Sequence, residues 1–254
     1  MIGVDLCNLS RITIPSSLSN NLTFIRQKYK IKRYIGYGEM DNEYMRYGLE
    51  MKTLSTVISG EIKEEERRRK ERAGVHLPCR ITADGRVAVP IYGALRGYAE
   101  IALRASGEDV CDTGGKGTKG CGKCVLCDLY GSLGRRGRAI IDDMRSVENY
   151  DKVVKKVTHI KLNREEGNVS DALGAEEIQE GTVFTGNIVV LNPKERDTEL
   201  INTGIEGINE FGLGGWLTRG RGRVELKIAS VERRSWDTLV KEAREKAKEL
   251  LGRE

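Results

Sequence analysis

Apolar residues recur at helical spacing after Pro90, at Ile91, Leu95, Tyr98, Ala99, Ile101, Ala102 and Leu103. The pattern predicts a helix that Gly107 closes. Ala139 to Ile141 predicts a short strand, and Val153 to Leu162 a longer one from its β-branched residues in rough alternation. Val183 to Leu191 predicts another strand, closed by Asn192-Pro193. A helix is expected from about Asp197, with Leu200, Ile201, Ile205 and Ile208 inward, although Gly204 and Gly207 oppose it. Val224, Leu226 and Ile228 alternate with Glu225 and Lys227, the pattern of a half-buried strand. An amphipathic helix follows from Asp237 to Leu251, with Leu239, Val240, Ala243, Ala247, Leu250 and Leu251 on its apolar face and Gly252 as its stop.

Upstream of Pro90 the pattern is harder to read. Lys30 to Gly38 and Met51 to Ile58 are each compatible with a strand, while Met40 to Tyr47 is polar and aromatic without a clear period. Glu61 to Arg72 is nearly all charge. It reads as a solvated helix or mobile arm, or as an arm that orders only against RNA or a neighbouring subunit. From Pro90 to Glu232 the order helix, strands, helix, strand fits an α+β sandwich with a ferredoxin-like, RRM-like core. That fold hosts many functions and selects none of them.

Composition sharpens the picture modestly. The chain has 254 residues, long enough for a sizeable core, with 43 Lys and Arg against 38 Asp and Glu for a net charge of +5. Basic residues gather in glycine-rich loops, which suits a phosphate partner. A charge-rich surface also accompanies life at high temperature, and the counts do not separate the two. No stretch has the run of apolar residues that spans a bilayer, and the first residues lack the form of a secretory signal. The expectation is a cytoplasmic protein without a membrane partner. There the six cysteines are thiols or metal ligands rather than disulfides.

Four of them, Cys111, Cys121, Cys124 and Cys127, lie in the frame CDTGGKGTKGCGKCVLCDLYG. Thiolates two residues apart reach one tetrahedral ion from a single turn, and the surrounding glycines allow the backbone to wrap it. Structural zinc is the leading reading, since four cysteine ligands leave no open position for water. An iron–sulfur cluster is the rival, because C-x2-C-x2-C also occurs in ferredoxin-type ligation, although the loop offers little apolar cover. Cys7 and Cys79 stand apart as ordinary thiols.

The segment GLGGWLTRGRGRVEL, Gly212 to Leu226, carries Gly214, Gly215, Arg219, Arg221 and Arg223. Glycines let a backbone approach an anion, and arginines add bidentate phosphate contacts. It is neither a P-loop nor a dinucleotide fingerprint, and a tight structural turn is the plain alternative. GSLGRRGR adds Arg135, Arg136 and Arg138 just after the cysteines. Trp216 is read as a base-stacking residue or a core residue.

Four segments, VAVPIYGALRGYAEIALR, CVLCDLYGS with RAIIDD, HIKLNREEGNVSDALGAEEIQEGTVFTGNIVVL and the terminal glycine loop, together resemble the RAMP superfamily of CRISPR proteins. The similarity is to the repeated backbone subunit of type III effector complexes, with the type I-D backbone subunit as second choice. The resemblance implies a ferredoxin-like core that polymerises head to tail along a guide RNA, grips and kinks its backbone, and takes part in antiviral defence. Its implied partners are guide RNA, copies of the chain, other effector subunits and target nucleic acid paired to the guide. Carried onto this sequence, Arg96, Arg135, Arg136, Arg138, Gly214, Gly215, Arg219, Arg221 and Arg223 become guide contacts.

In type III backbone subunits a loop aspartate shortly before the proline-helix motif cuts target RNA. Here the matching stretch, GVHLPCRITADGR, has His76 in its place, with Asp41 and Asp84 as fallback candidates. The expectation is therefore a non-catalytic scaffold, with a target-RNA endoribonuclease and a zinc-ribbon RNA-binding protein outside CRISPR as alternatives. One domain is expected over residues 1–254, with a charged arm at 59–76 and a zinc-binding insertion at 107–130.

Overall fold

The computed structural model describes residues 42–60, 68, 71, 73–113, 119–163 and 165–252. The Lys30 to Gly38 strand, Cys7, Asp41 and most of the charged arm lie outside the described residues. In chain order the elements are β1 (Glu43–Thr53), β2 (Arg80–Ile81), β3 (Arg86–Val89), α1 (Tyr92–Ala105), α2 (Val125–Tyr130), β4 (Gly131–Ser132) and β5 (Arg135–Arg136). Then follow β6 (Ala139–Ile141), β7 (Met144–Asn149), α3 (Tyr150–Val153), β8 (Val154–Leu162), β9 (Val169–Ile178) and β10 (Val183–Leu191). The chain continues through α4 (Asp197–Phe211), β11 (Val224–Ser235) and α5 (Trp236–Leu251).

The main sheet runs β11-β1-β10-β7-β3-β2, with β6 also on β10, and every pairing is antiparallel. The fold is thus a mixed α/β architecture on an antiparallel sheet. Tyr47, Leu49, Met51 and Thr53 of β1 point inward in strict alternation. This strand overlaps the stretch in which the sequence has no clear period, because its inward positions include a tyrosine and a threonine. The Tyr47 hydroxyl is satisfied by Thr198 at 2.8 Å. The chain leaves the sheet at Thr53, so the strand expected from Met51 to Ile58 holds for only its first three residues. β3, β9 and the short α2 also escaped the sequence pattern.

Helices α1 and α4 pack against each other and cover the core, where Leu95, Ile91, Leu200, Ile201 and Ile208 meet Met51, Phe184 and Ile188. The two glycines that oppose a helix at α4 are what permit this contact. A Cβ on Gly204 would stand 2.5 Å from the Leu95 carbonyl oxygen, and one on Gly207 2.3 Å from Tyr98 Cβ. Gly107 closes α1 as expected, with φ of 88° just beyond its last turn.

β8 and β9 form a separate two-stranded hairpin, joined to the body at its root by bridges from Val57 to Ile178 and from Leu77 to Ala175. Among the described residues no helix is long and apolar enough to cross a membrane.

Candidate nucleic-acid interface and metal centre

The four clustered cysteines converge. Their sulfur atoms all lie within 4.8 Å of one another, with Cys111 3.2 Å from Cys127 and 3.6 Å from Cys124. Four thiolates around one zinc ion at about 2.3 Å stand roughly 3.8 Å apart, so the set fits a tetrahedral metal. The turn needs its glycines: Gly120 and Gly122 have φ of 72° and 70°. The Lys123 and Cys124 amides donate to the exposed Cys121 sulfur at 3.4 and 3.2 Å, and these bonds hold its thiol down to about 6. A thiolate poised this way is ready to ligate. Cys79 is buried apart from the cluster, with its amide donating to Glu176 at 2.8 Å.

Arg96 borders the cleft beside the β4–β5 turn but is largely withdrawn from water. It is 6% exposed, and its Nε donates to Glu100 at 2.8 Å. It also donates to the Gly131 carbonyl and, at 3.5 Å, to the Cys127 sulfur. Glu100 in turn accepts from the Thr113 amide at 3.0 Å and hydroxyl at 2.6 Å. This buried pair therefore ties α1 to the cysteine loop. A charge taken out of water needs such partners, and they hold most of its guanidinium in the interior.

The arginines after the cysteines divide in the same way. Arg138 forms a fork with Asp197, both N–O distances being 2.6 Å, and also meets Asp128 at 2.9 Å. Burial alone would raise the Asp128 carboxyl, but hydrogen bonds from Lys194 and Arg138 outweigh it and hold it below the usual carboxylate range. Arg135 and Arg136 are exposed on the tight β4–β5 turn. With Tyr92 and Lys119 they line a cleft of roughly 430 Å³. Beside this cleft α1 begins without a side-chain cap and without an acidic residue in its first turn. A Cβ on Gly93 or Gly97 would meet nothing, so this end of the helix is open. A second groove runs from Gly93 and Gly97 to Gly212, Leu213 and Gly214.

In the glycine-rich loop the backbone is committed to the fold. The Gly215 amide donates to the Ile58 carbonyl at 2.8 Å and the Gly222 amide to Thr56 at 2.8 Å. Gly214 has φ of 92°, and a Cβ there would stand 2.4 Å from the Ile58 oxygen. Its glycines thus serve close packing, which the tight-turn alternative anticipates. Arg219 and Arg223 are exposed, whereas Arg221 is half-buried with Nε 3.0 Å from Glu177. His159 also reaches that buried carboxylate, at 2.8 Å. The His159 ring stands edge-on to Trp216 at 4.6 Å, and Arg219 lies 4.8 Å above the indole. Trp216 therefore packs the loop against the β8–β9 hairpin.

Of the alternative catalytic candidates, His76 and Asp84 are described, and each is held in a turn or hairpin root. His76 is exposed at the hairpin root, where its Nδ1 accepts from the Gly174 amide at 3.1 Å. Asp84 is an exposed turn residue held by the Thr82 hydroxyl and, 3.4 Å away, Arg86; the Thr82 hydrogen bond lowers its pKa. Asp41 is outside the described residues. Among the described residues the cysteine set is the one group of His, Cys, Asp or Glu close enough to share an ion.

The RAMP superfamily profile matches residues 35–225. The chain belongs to the RAMP superfamily. No curated protein matches the sequence. Among solved structures, a chain of a type III-B Cmr-beta complex bound to cognate target RNA superposes with a TM-score of 0.53 at 12% identity. The alignment covers 87% of this chain and 67% of that one, and at such identity it speaks for the fold alone.

The matched RAMP region contains the cysteine set, both arginine clusters and all but the last residue of the glycine-rich segment. Sequence reasoning missed Glu100, Asp128, Glu177 and Asp197, the carboxylates that hold arginines in place. For Glu100 a signal existed, because it stands four residues after Arg96 on a helix. The other three meet their arginines through turns and strand pairings that no local spacing encodes.

Proposed function

We propose that this RAMP protein is an RNA-binding backbone subunit of a CRISPR interference complex, of the type III kind, which grips guide RNA without reading its sequence. The observation that carries the proposal is a pair of clefts that flank the first turns of α1, one lined by Tyr92 and the other by Gly93. The first also holds Lys119 and the exposed Arg135 and Arg136, and the second reaches the glycine loop. Along them, arginines supply charge and the uncapped amides of α1 supply anion-binding dipoles. Arg219 and Arg223 extend the charge beyond Gly214. Arg138 and Arg221 act behind this surface by fixing its position.

We read the sheet order as a ferredoxin-like core, with β11, β1, β10 and β6–β7 as its four strands and α1 and α4 as its two helices. The cysteine loop over 107–130 is then an insertion that carries structural zinc and steadies the basic cleft through Arg96. Copies of the subunit would follow one another head to tail on the guide, alongside other effector subunits, with target nucleic acid paired to the guide. Antiviral defence in the cytoplasm is the setting this implies. His76 offers no carboxylate, and the reading is of a scaffold that leaves the target intact.

A salt-titrated binding and cleavage assay tests this directly, using a guide-like single strand and then guide paired with labelled target, with and without magnesium. The expected result is tight, salt-sensitive, sequence-tolerant binding and an intact target. Regular cleavage fragments would make the protein a nuclease and redirect attention to His76, Asp41 and Asp84. Absence of binding would overturn the RNA reading.

A further inference from the structure

Helix α5 has no buried residue anywhere along its length. Its apolar stripe is presented to solvent, with Leu250 72% and Leu251 79% exposed, and Leu239 and Val240 at 40% and 42%. Alanines 243 and 247 occupy the middle of the stripe, where a partner can approach closely. On a helical wheel Arg244 and Lys248 flank the stripe on one side and Lys246 on the other. Glu245 and Glu249 fall on the far face, while Asp237 of the first turn shares the Arg244 and Lys248 edge and accepts from Asn42.

A complementary surface exists elsewhere on the same chain. Between α1 and α4 lies an apolar groove of about 730 Å³, floored by Tyr98 and Gly207 and walled by Ile101 and Phe211. Ile101 is 63% and Phe211 60% exposed. Glu206 and Glu210 stand exposed on its rim, and no ion pair engages them among the described residues. Beyond its first turn the helix is thus apolar with basic edges, and the groove is apolar with an acidic rim.

We infer that α5 of one copy docks in the α1–α4 groove of the next. Helix and groove are different surfaces, so the contact is heterologous, and repetition gives an open chain of subunits rather than a closed pair. An amphipathic helix in an apolar groove is a recurring mode of recognition, and the matching charge signs set its orientation. The inference rests on the proposed function only in that successive copies meet along one strand. It names the surfaces by which they do so.

The test uses the full chain, with a photo-crosslinking residue in place of Leu250, in an equal mixture of isotopically light and heavy protein. It is run with and without a guide-like single strand. The expected product is a mixed light–heavy crosslink onto peptides containing Ile101 or Phe211. Crosslinks confined to one copy, whether to its own groove or to residues 1–40, would overturn the inference, as would no crosslink to the groove.

A charge-reversal series sharpens the result. Arg244→Glu with Lys246→Glu should reduce the number of copies counted per long RNA at least tenfold in native mass spectrometry. Affinity for a strand that holds one copy should stay unchanged. Adding Glu206→Lys and Glu210→Lys to the same chain should restore the count, and failure to restore it would reject this pairing of surfaces. If no RNA binds but the mixed crosslink persists, the RNA reading has failed while the docking contact stands.

Discussion

Two pairs of arginines, one largely buried and one exposed, sit around the cysteine loop and its following turn. Arg96 and Arg138 are withdrawn from water and held by Glu100, Asp197 and Asp128. Arg135 and Arg136 point outward from the turn between them. The sequence offers Arg96 on the Pro90 helix and Arg135, Arg136 and Arg138 in one basic cluster as equivalent candidates, yet burial separates them. Arg96 and Arg138 have their donors fixed by carboxylates and carbonyls in the interior. Arg135 also donates to the Gly122 carbonyl and Asp128, but its half-exposed guanidinium, like that of exposed Arg136, still meets solvent. The comparison teaches that a basic motif marks candidates, and that burial together with carboxylate pairing sorts them.

The contrast can be broken most forcefully at Arg96. Arg96→Ala should lower stability by about 3–5 kcal/mol, because Glu100 is left buried without its countercharge. Thermal unfolding measures the loss. RNA affinity per folded molecule should be unchanged, and a selective loss of affinity would return Arg96 to the interface.

Chelation should act next most strongly, but locally. Metal removal is expected to raise hydrogen exchange across 107–130 while the main sheet stays protected. Loss of protection throughout the sheet would mean that the cysteine loop is integral to the core.

Asp128→Asn probes the boundary between the two sets, since Asp128 meets both Arg138 and Arg135. Its folded pKa lies below the ordinary 3.8, so its stabilisation is fully present above that value and disappears as the pH falls through the lower folded value. The variant should be about 1 kcal/mol less stable at neutral pH, with the difference vanishing under strong acid. Paired denaturation curves over a pH series check the sign.

Arg135→Ala with Arg136→Ala should have the smallest effect on stability, within about 0.5 kcal/mol. It should nevertheless weaken RNA binding and reduce the salt slope by about 1.4, for two lost phosphate contacts on a single strand. Equal loss of stability and affinity would erase the distinction between the sets.

The sequence by itself determined the helices at 92–105, 197–211 and 236–251, the strands at 154–162 and 183–191, and the cysteine set. Each is written in local spacing, where a period of 3.6 or 2, or a C-x2-C repeat, is imposed by backbone geometry alone. The resemblance to RAMP proteins was likewise legible in ordered short motifs. Strand β1 was not, because its inward Tyr47 and Thr53 are polar residues whose burial is tolerated only once Thr198 and the Gln179 carbonyl satisfy them. The fates of Arg96, Arg138 and the glycine loop were also decided by tertiary structure. Glu100 reaches Arg96 within one helix, but Asp197 meets Arg138 across 59 residues and Ile58 bridges Gly215 outside the sheet from a distant part of the chain. Whether a charge is exposed or paired is a property of such distant contacts, and no stretch of sequence contains it.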